Sequence, residues 1–159
     1  MIVSTRESAE CRKRLLELGV SQVSGGSKTS VGGYFQPMPE KEESAQFDVS
    51  DRRPLDEVIK WLMELGYLPS FCTACYRNGR TGDRFMEICK DKQIHNFCHP
   101  NAILTLKEYL EDYASSETKK IGETLIENEQ KTLECPECVK LKVAEDLEKI
   151  KQGERDFNF

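Results

Sequence analysis

The residues best suited to chemistry lie in FCTACYRNGRTGDRF, residues 71–85, which holds the C-x-x-C pair Cys72 and Cys75. Cys98 follows with 22 residues between it and Cys75. Thiolate sulfur is soft and negative, so it suits iron–sulfur clusters and zinc alike. Three thiolates can hold a 4Fe-4S cluster at three irons and leave the fourth iron to a non-protein ligand. Zinc is the competing reading, because both histidines of the chain, His95 and His99, flank Cys98. Three thiolates and one imidazole make a tetrahedral zinc site. Cys135-Pro-Glu-Cys138 is a second C-x-x-C, and with Cys72 and Cys75 it would make a four-thiolate zinc site in a zinc-stabilised binding module. The plain alternative is a pair of structural cysteines that only happen to be close. Spacing alone leaves zinc and iron–sulfur level.

Arg77, Arg80 and Arg84 crowd the same loop, spaced by Gly79 and Gly82. They can offset the charge of a thiolate-bound cluster or grip a carboxylate bidentately, or else form ordinary salt bridges with neighbouring acids. Cys89 shares the apolar side of a short helix with Phe85, Met86 and Ile88, which reads as a core thiol. Cys11 falls in the middle of a helix and has no assigned role. Ser24-Gly-Gly-Ser-Lys-Thr29 lacks the spacing of a phosphate-binding loop and reads instead as a loop at the C-terminal end of a strand.

The bulk properties narrow the setting. The chain has 159 residues, 38% hydrophobic and 32% charged, enough for one ordinary domain or pieces of two. A net charge of -5 argues against a nucleic-acid partner. No apolar run is long enough to span a bilayer, and the start does not read as a signal peptide. The expectation is a soluble cytoplasmic protein. The seven cysteines are odd in number, which weakens a disulfide framework and favours metal or redox chemistry.

The elements that must position these residues divide near Cys72. Met1–Ser4 reads as a strand, and a helix follows over about 5–18, with Ser4 and Glu7 as a capping box and Gly19 as its C-cap. Val20–Val23 reads as a second strand. Residues 36–50 read as an irregular acidic loop. Pro54 opens a helix carrying Leu55, Val58, Ile59, Leu62 and Leu65 at helical spacing, closed by Gly66. Tyr67–Phe71 reads as a third strand. This is a strand–helix rhythm of parallel α/β type, yet three strands cannot close a barrel. The second half reads as helical throughout: a short helix after Thr81, one over 101–114, and a Glu/Lys-rich pattern from about 117 to 151.

Five stretches carry a resemblance: STRES at 4–8, LGVSQVSGGSKTSVGGY at 18–34, GYLPSFCTACYRNGRTGDRFM at 66–86, CHPNAILTLKEYLEDYA at 98–114 and GERDFNF at 153–159. Together they resemble the radical-SAM tyrosine lyases of FeFe-hydrogenase maturation, relatives of the thiamin-pathway tyrosine lyase, over essentially the whole chain. The resemblance implies an α/β fold: residues 1–71 as the last strands of a radical-SAM TIM-type barrel, and 72–159 as an all-helical cluster-binding extension. It implies an auxiliary 4Fe-4S cluster with an additional labile iron on Cys72, Cys75 and Cys98. Ser4 and Arg6, at the mouth of a late barrel strand, match the part of the site that holds the amino-acid carboxylate of tyrosine. The implied reaction makes carbon monoxide and cyanide ligands from tyrosine for the hydrogenase active site. The implied partners are tyrosine-derived small molecules, iron, an N-terminal barrel portion and the hydrogenase maturation machinery, with no nucleic acid and no membrane.

The family's C-x-x-x-C-x-x-C motif, which binds the cluster that cleaves S-adenosylmethionine, occurs nowhere in the sequence. S-adenosylmethionine and that second 4Fe-4S cluster are therefore expected only in the intact parent. The chain is expected to be a C-terminal fragment that is not catalytic alone. Cys135 and Cys138 match no feature of the family and stand as a surface thiol pair.

Overall fold

The computed structural model describes residues 1–35 and 47–159, so most of the acidic loop expected over 36–50 lies outside the described residues. The elements, in order, are β1 (Ile2–Val3), α1 (Ala9–Glu17), β2 (Gln22–Val23), α2 (Leu55–Glu64), α3 (Ala74–Arg77), α4 (Gly82–Lys90), α5 (His95–Asp112), α6 (Ser116–Thr132) and α7 (Glu137–Lys151). The described chain is therefore mostly helical, with one small sheet in which β1 and β2 pair in parallel, Ile2 beside Gln22 and Val3 beside Val23. No described helix is long and apolar enough to cross a membrane. Two compact units are present, Met1–Val58 and Ile59–Phe159. The composition shift at Cys72 falls inside the second.

In the first unit, α1 begins later than the capping-box pattern predicts. Ser8 is the N-cap, its hydroxyl accepting from the Cys11 N–H at 3.3 Å, while Ser4 turns its hydroxyl to the Arg6 N–H at 3.2 Å. Ser4 and Glu7 thus shape the turn between β1 and α1 rather than the helix start. The predicted C-cap is present. Gly19 takes φ +94, and the Gly19 and Val20 N–H groups donate to the Leu16 and Leu15 carbonyls, the double bond of a Schellman motif. Gly66 ends α2 in the same way, with bonds to Met63 and Leu62.

A charge cluster that sequence periodicity did not reveal organises this unit. Arg12 is fully buried on α1; its guanidinium pairs with Asp51 and donates to the Ser24 carbonyl just beyond β2. Asp51 also accepts from Arg53 Nε at 2.9 Å and Nη2 at 2.6 Å, and its N–H donates to the Thr5 carbonyl at 2.9 Å. One carboxylate thereby ties α1, the turn after β1 and the segment before α2.

The third predicted strand, Tyr67–Phe71, is not a strand. Pro69 has no N–H to give a ladder and is buried, Leu68 packs partly on the helical core, and the Phe71 N–H donates to the Thr105 hydroxyl at 3.2 Å. With two short strands described, the TIM-type barrel portion remains an expectation of the resemblance.

The second unit is a helical core built on α5. Ile103, Leu104 and Leu106 are completely buried and cluster with Ile59 and Met63 of α2, Ile126 of α6, and Val143, Leu147 and Ile150 of α7. Helix α5 starts at His95 rather than near 101 and carries Pro100 inside it. The proline lacks an N–H for the Asn96 carbonyl, which is why the sequence reads as a helix stop there. Tyr113, expected on the apolar face, lies past the helix end and is exposed. Lys107 is buried along its stem and pairs with Glu111 at 2.7 Å and with Glu123 of α6.

The Glu/Lys-rich pattern of 117–151 is two helices rather than one. Leu133 leaves the helical conformation and is buried, and Pro136 occupies the N-cap position of α7, so the chain reverses between α6 and α7. Where α6 crosses α5, a Cβ on Gly122 would stand 2.5 Å from Leu110 Cδ1 and 2.7 Å from Cδ2. Gly122→Ala gains about 1 kcal/mol of helix propensity but incurs roughly 1–3 kcal/mol of overpacking against a buried leucine. The expected result is a net loss of stability on the order of 1 kcal/mol in urea unfolding, the reverse of an ordinary glycine-to-alanine change in a helix.

Candidate metal centre

The site is built from three segments of the second unit: the turn into α3, the start of α5, and the tail after α7. Cys72 precedes α3, and its sulfur accepts the Ala74 N–H at 3.4 Å. Cys75 sits in the single turn of α3. That turn closes with Gly79 at φ +62, the Gly79 N–H donating to the Tyr76 carbonyl and the Arg80 N–H to the Cys75 carbonyl at 2.8 Å. The left-handed glycine folds the chain back so that the Arg80 N–H reaches the Cys75 carbonyl. Cys98 lies in the first turns of α5, anchored by its N–H to the Ile94 carbonyl at 2.8 Å.

These thiols share one electrostatic environment. Burial pushes the Cys98 thiol above its ordinary value, the nearby Cys75, Cys72 and Cys89 add to that, and Arg80 opposes it. The Cys98 thiol thus lies within electrostatic reach of Cys72, Cys75 and Cys89. Cys89 is half-buried on a helix with no buried residue, so its expected place in the core is corrected. Among the described residues, no group of three His, Cys, Asp or Glu side chains gathers as ligands of one metal ion.

Arg80 is the buried base of the site, 8% exposed. Its Cζ lies 4.5 Å from the centre of the Phe97 ring, and one terminal nitrogen donates to the main-chain oxygen of Phe159. Its Nε–H is buried and meets no acceptor among the described residues. A buried donor without a partner is costly, and a negatively charged group held by the neighbouring thiolates would supply the missing acceptor. The donor set and this orphaned N–H fit an anionic iron–sulfur cluster.

The tail supplies what sequence reasoning missed. Residues 153–159 were noticed as a matching stretch but given no role. Arg77 pairs with both oxygens of Asp156, one at 2.8 Å, which holds that carboxyl below its usual range. The Asp156 N–H donates to Glu108 at 2.7 Å, and Arg155 grips Asp112 with two bonds. Phe159 donates its N–H to Asn101 Oδ1 at 2.8 Å. Arg77 therefore uses its bidentate fork on the tail. The signal available in sequence was the charge pattern Glu-Arg-Asp at 154–156 facing Arg77 and Asp112, invisible without the fold. Asp156→Ala is expected to release the tail, read as faster trypsin cleavage at Arg155 under native conditions with little change in global melting.

The remaining candidates lie elsewhere. His99 Nε2 is 2.7 Å from Glu129 Oε2, so this imidazole is engaged by a carboxylate on α6, and His95 is exposed. Among the described residues, no three or more potential metal ligands gather, so the two C-x-x-C pairs do not form a four-thiolate site. Cys135 lies in the break between α6 and α7 and Cys138 in the first turn of α7, within the stretch expected as one Glu/Lys-rich helical pattern. In the first unit, Ser4 and Arg6 are exposed at the end of β1, with the Arg6 guanidinium 4.1 Å from the centre of the Phe47 ring.

The comparisons with known proteins agree with this architecture. Residues 1–68 match the Biotin and Thiamin Synthesis associated domain. Fifty-two residues are 46% identical to 2-iminoacetate synthase of Escherichia coli (strain K12), covering 33% of this chain and 13% of that protein. Over its entire length the chain is similar to HydG, described as a maturase of the [FeFe]-hydrogenase, with 50% identity and a TM-score of 0.90. The chain spans 34% of that HydG structure.

Proposed function

We propose that this chain is the auxiliary-cluster part of a HydG-like radical-SAM tyrosine lyase, contributing to synthesis of carbon monoxide and cyanide ligands for an FeFe-hydrogenase. Cys72, Cys75 and Cys98 hold the 4Fe-4S cluster. When bound, such a cluster with its additional iron offers coordination sites for small diatomic ligands. The chain's own residues shape that place. Arg80 presents its buried Nε–H to the anionic group, the Ala74 N–H supports the Cys72 sulfur, and the Arg77–Asp156 pair holds the loop against the tail. Ser4 and Arg6 are assigned to the carboxylate of the tyrosine substrate. Residues 1–71 are read as the end of a radical-SAM barrel, and S-adenosylmethionine and the second cluster as belonging to the C-x-x-x-C-x-x-C motif that these 159 residues lack. The partners in this reading are the barrel portion that carries this motif, the hydrogenase maturation machinery and iron.

The observation that carries the proposal is the buried Nε–H of Arg80, without an acceptor among the described residues, on the loop that carries Cys72 and Cys75. Anaerobic reconstitution of the chain with ferrous iron and sulfide is expected to give a 4Fe-4S absorption and electron-paramagnetic signal. That signal should vanish in Cys72→Ala and persist in a Cys135→Ala/Cys138→Ala variant. Tight zinc binding with no cluster uptake would reject the proposal.

A further inference from the structure

The second C-x-x-C pair lies apart from the proposed cluster, and its surroundings point to chemistry of its own. Cys135 occupies the bend between α6 and α7 and packs partly against the helical core beside Leu133 and Val139. Pro136 follows it, which disfavours helical backbone at Cys135, and takes φ -55 and ψ 146 at the N-cap position. Its carbonyl accepts the Val139 N–H at 2.9 Å and the Lys140 N–H at 3.2 Å, so α7 begins at once. Cys138 therefore stands in the first turn of a 15-residue helix, and its side chain is exposed. One thiol is thus open to solution while its partner, three residues earlier, is seated on the core. Both are free thiols, and two residues separate them at the start of the helix.

We infer that Cys135 and Cys138 form a redox-active dithiol that exchanges with low-molecular-weight disulfides. C-x-x-C at a helix start closes a small ring with little backbone movement, the arrangement used by thiol–disulfide exchange sites. The exposed Cys138 loses its proton to water and attacks one sulfur of the small disulfide. A Cys138–small-molecule disulfide forms, and one small thiolate leaves. Cys135, having lost its proton, then attacks the Cys138 sulfur and expels the second small thiolate. The protein dithiol is oxidised by two electrons to the Cys135–Cys138 disulfide, and the small disulfide is reduced to two thiols, which take up the two protons. The order follows from access, since the core shields Cys135. The product pins the start of α7 to the bend, at the far end of the helix from the tail that braces the cluster loop.

The test uses the full chain, anaerobic and free of added iron, equilibrated over a series of oxidised-to-reduced glutathione ratios. Acid quenching, alkylation and peptide mapping then read each cysteine. The expected result is an intramolecular Cys135–Cys138 disulfide, with loss of both alkylation sites together and recovery when reduced glutathione is restored. Cys135→Ser should accumulate glutathione on Cys138, whereas Cys138→Ser should leave Cys135 alkylatable. Two thiols that stay alkylatable at every ratio, or a Cys138 that couples only to other cysteines or other chains, would overturn the inference. The wild-type map decides the matter even if a variant folds poorly. Because no cluster is involved, the result is separate from failure of iron–sulfur reconstitution.

Discussion

Asp51→Ala is expected to destabilise the protein by about 3–5 kcal/mol, the range found when one partner of a buried ion pair is removed. The reason is Arg12, which has no exposed surface and would keep its charge without its carboxylate. Desolvation already pulls the Arg12 guanidinium below its ordinary value, and Asp51 is the charge that opposes this pull. The penalty is thus mainly that of the stranded cation, not the intrinsic strength of the pair. Replacing both partners, Arg12→Met with Asp51→Leu, should therefore cost less than Asp51→Ala alone in urea unfolding read by circular dichroism. A double variant at least as unstable as the single one would contradict this account. The pH dependence has a definite sign. Hydrogen bonding from Arg53, and secondarily the nearby guanidinium charges, hold the Asp51 carboxyl below its usual range. Its contribution is full above the ordinary carboxylate value near 3.9 and is lost as pH falls through the lower folded value. The stability difference between the protein and Asp51→Asn should shrink only in that acid window.

Leu104→Ala is expected to cost about 2–5 kcal/mol, since it removes three carbons from a site with no solvent access and leaves a cavity in the shared core of α2, α5, α6 and α7. The matched surface change Leu141→Ala, at a side chain 65% exposed, should stay within about 0.5 kcal/mol. The core change also has a functional readout. Cys98 rides on α5, so a loosened α5 should release reconstituted iron to a chelator faster than Leu141→Ala does. Equal iron release from the two variants would show that the core does not hold the metal site in place.

The helices of the second half and the glycine C-caps were legible because hydrophobic spacing and left-handed glycines are local signals. The third strand was misread because a short apolar run carrying a proline reads alike as a strand or as a segment laid over a helical core. The break at Leu133 was hidden by continuous Glu/Lys periodicity, although Pro136 marked it. The charge cluster of Arg12, Asp51 and Arg53 was out of reach, since 39 residues separate Arg12 from Asp51 and nothing local distinguishes them from surface charges.

The sequence by itself determined which candidate ligands this chain offers: thiols at C-x-x-C and one further cysteine, arginines beside them, and no C-x-x-x-C-x-x-C motif. Ligand type and local spacing are written in the order of residues, because side-chain chemistry does not depend on the fold. Only the tertiary structure decided which groups meet. It buried Arg80 against Phe97 and the Phe159 main-chain oxygen, turned Arg77 to Asp156, engaged His99 with Glu129, and set Cys135 and Cys138 at the break before α7. Those pairings depend on how the chain returns to itself across 30 to 79 residues, and they are set by the packing of α5, α6 and α7 rather than by any local pattern.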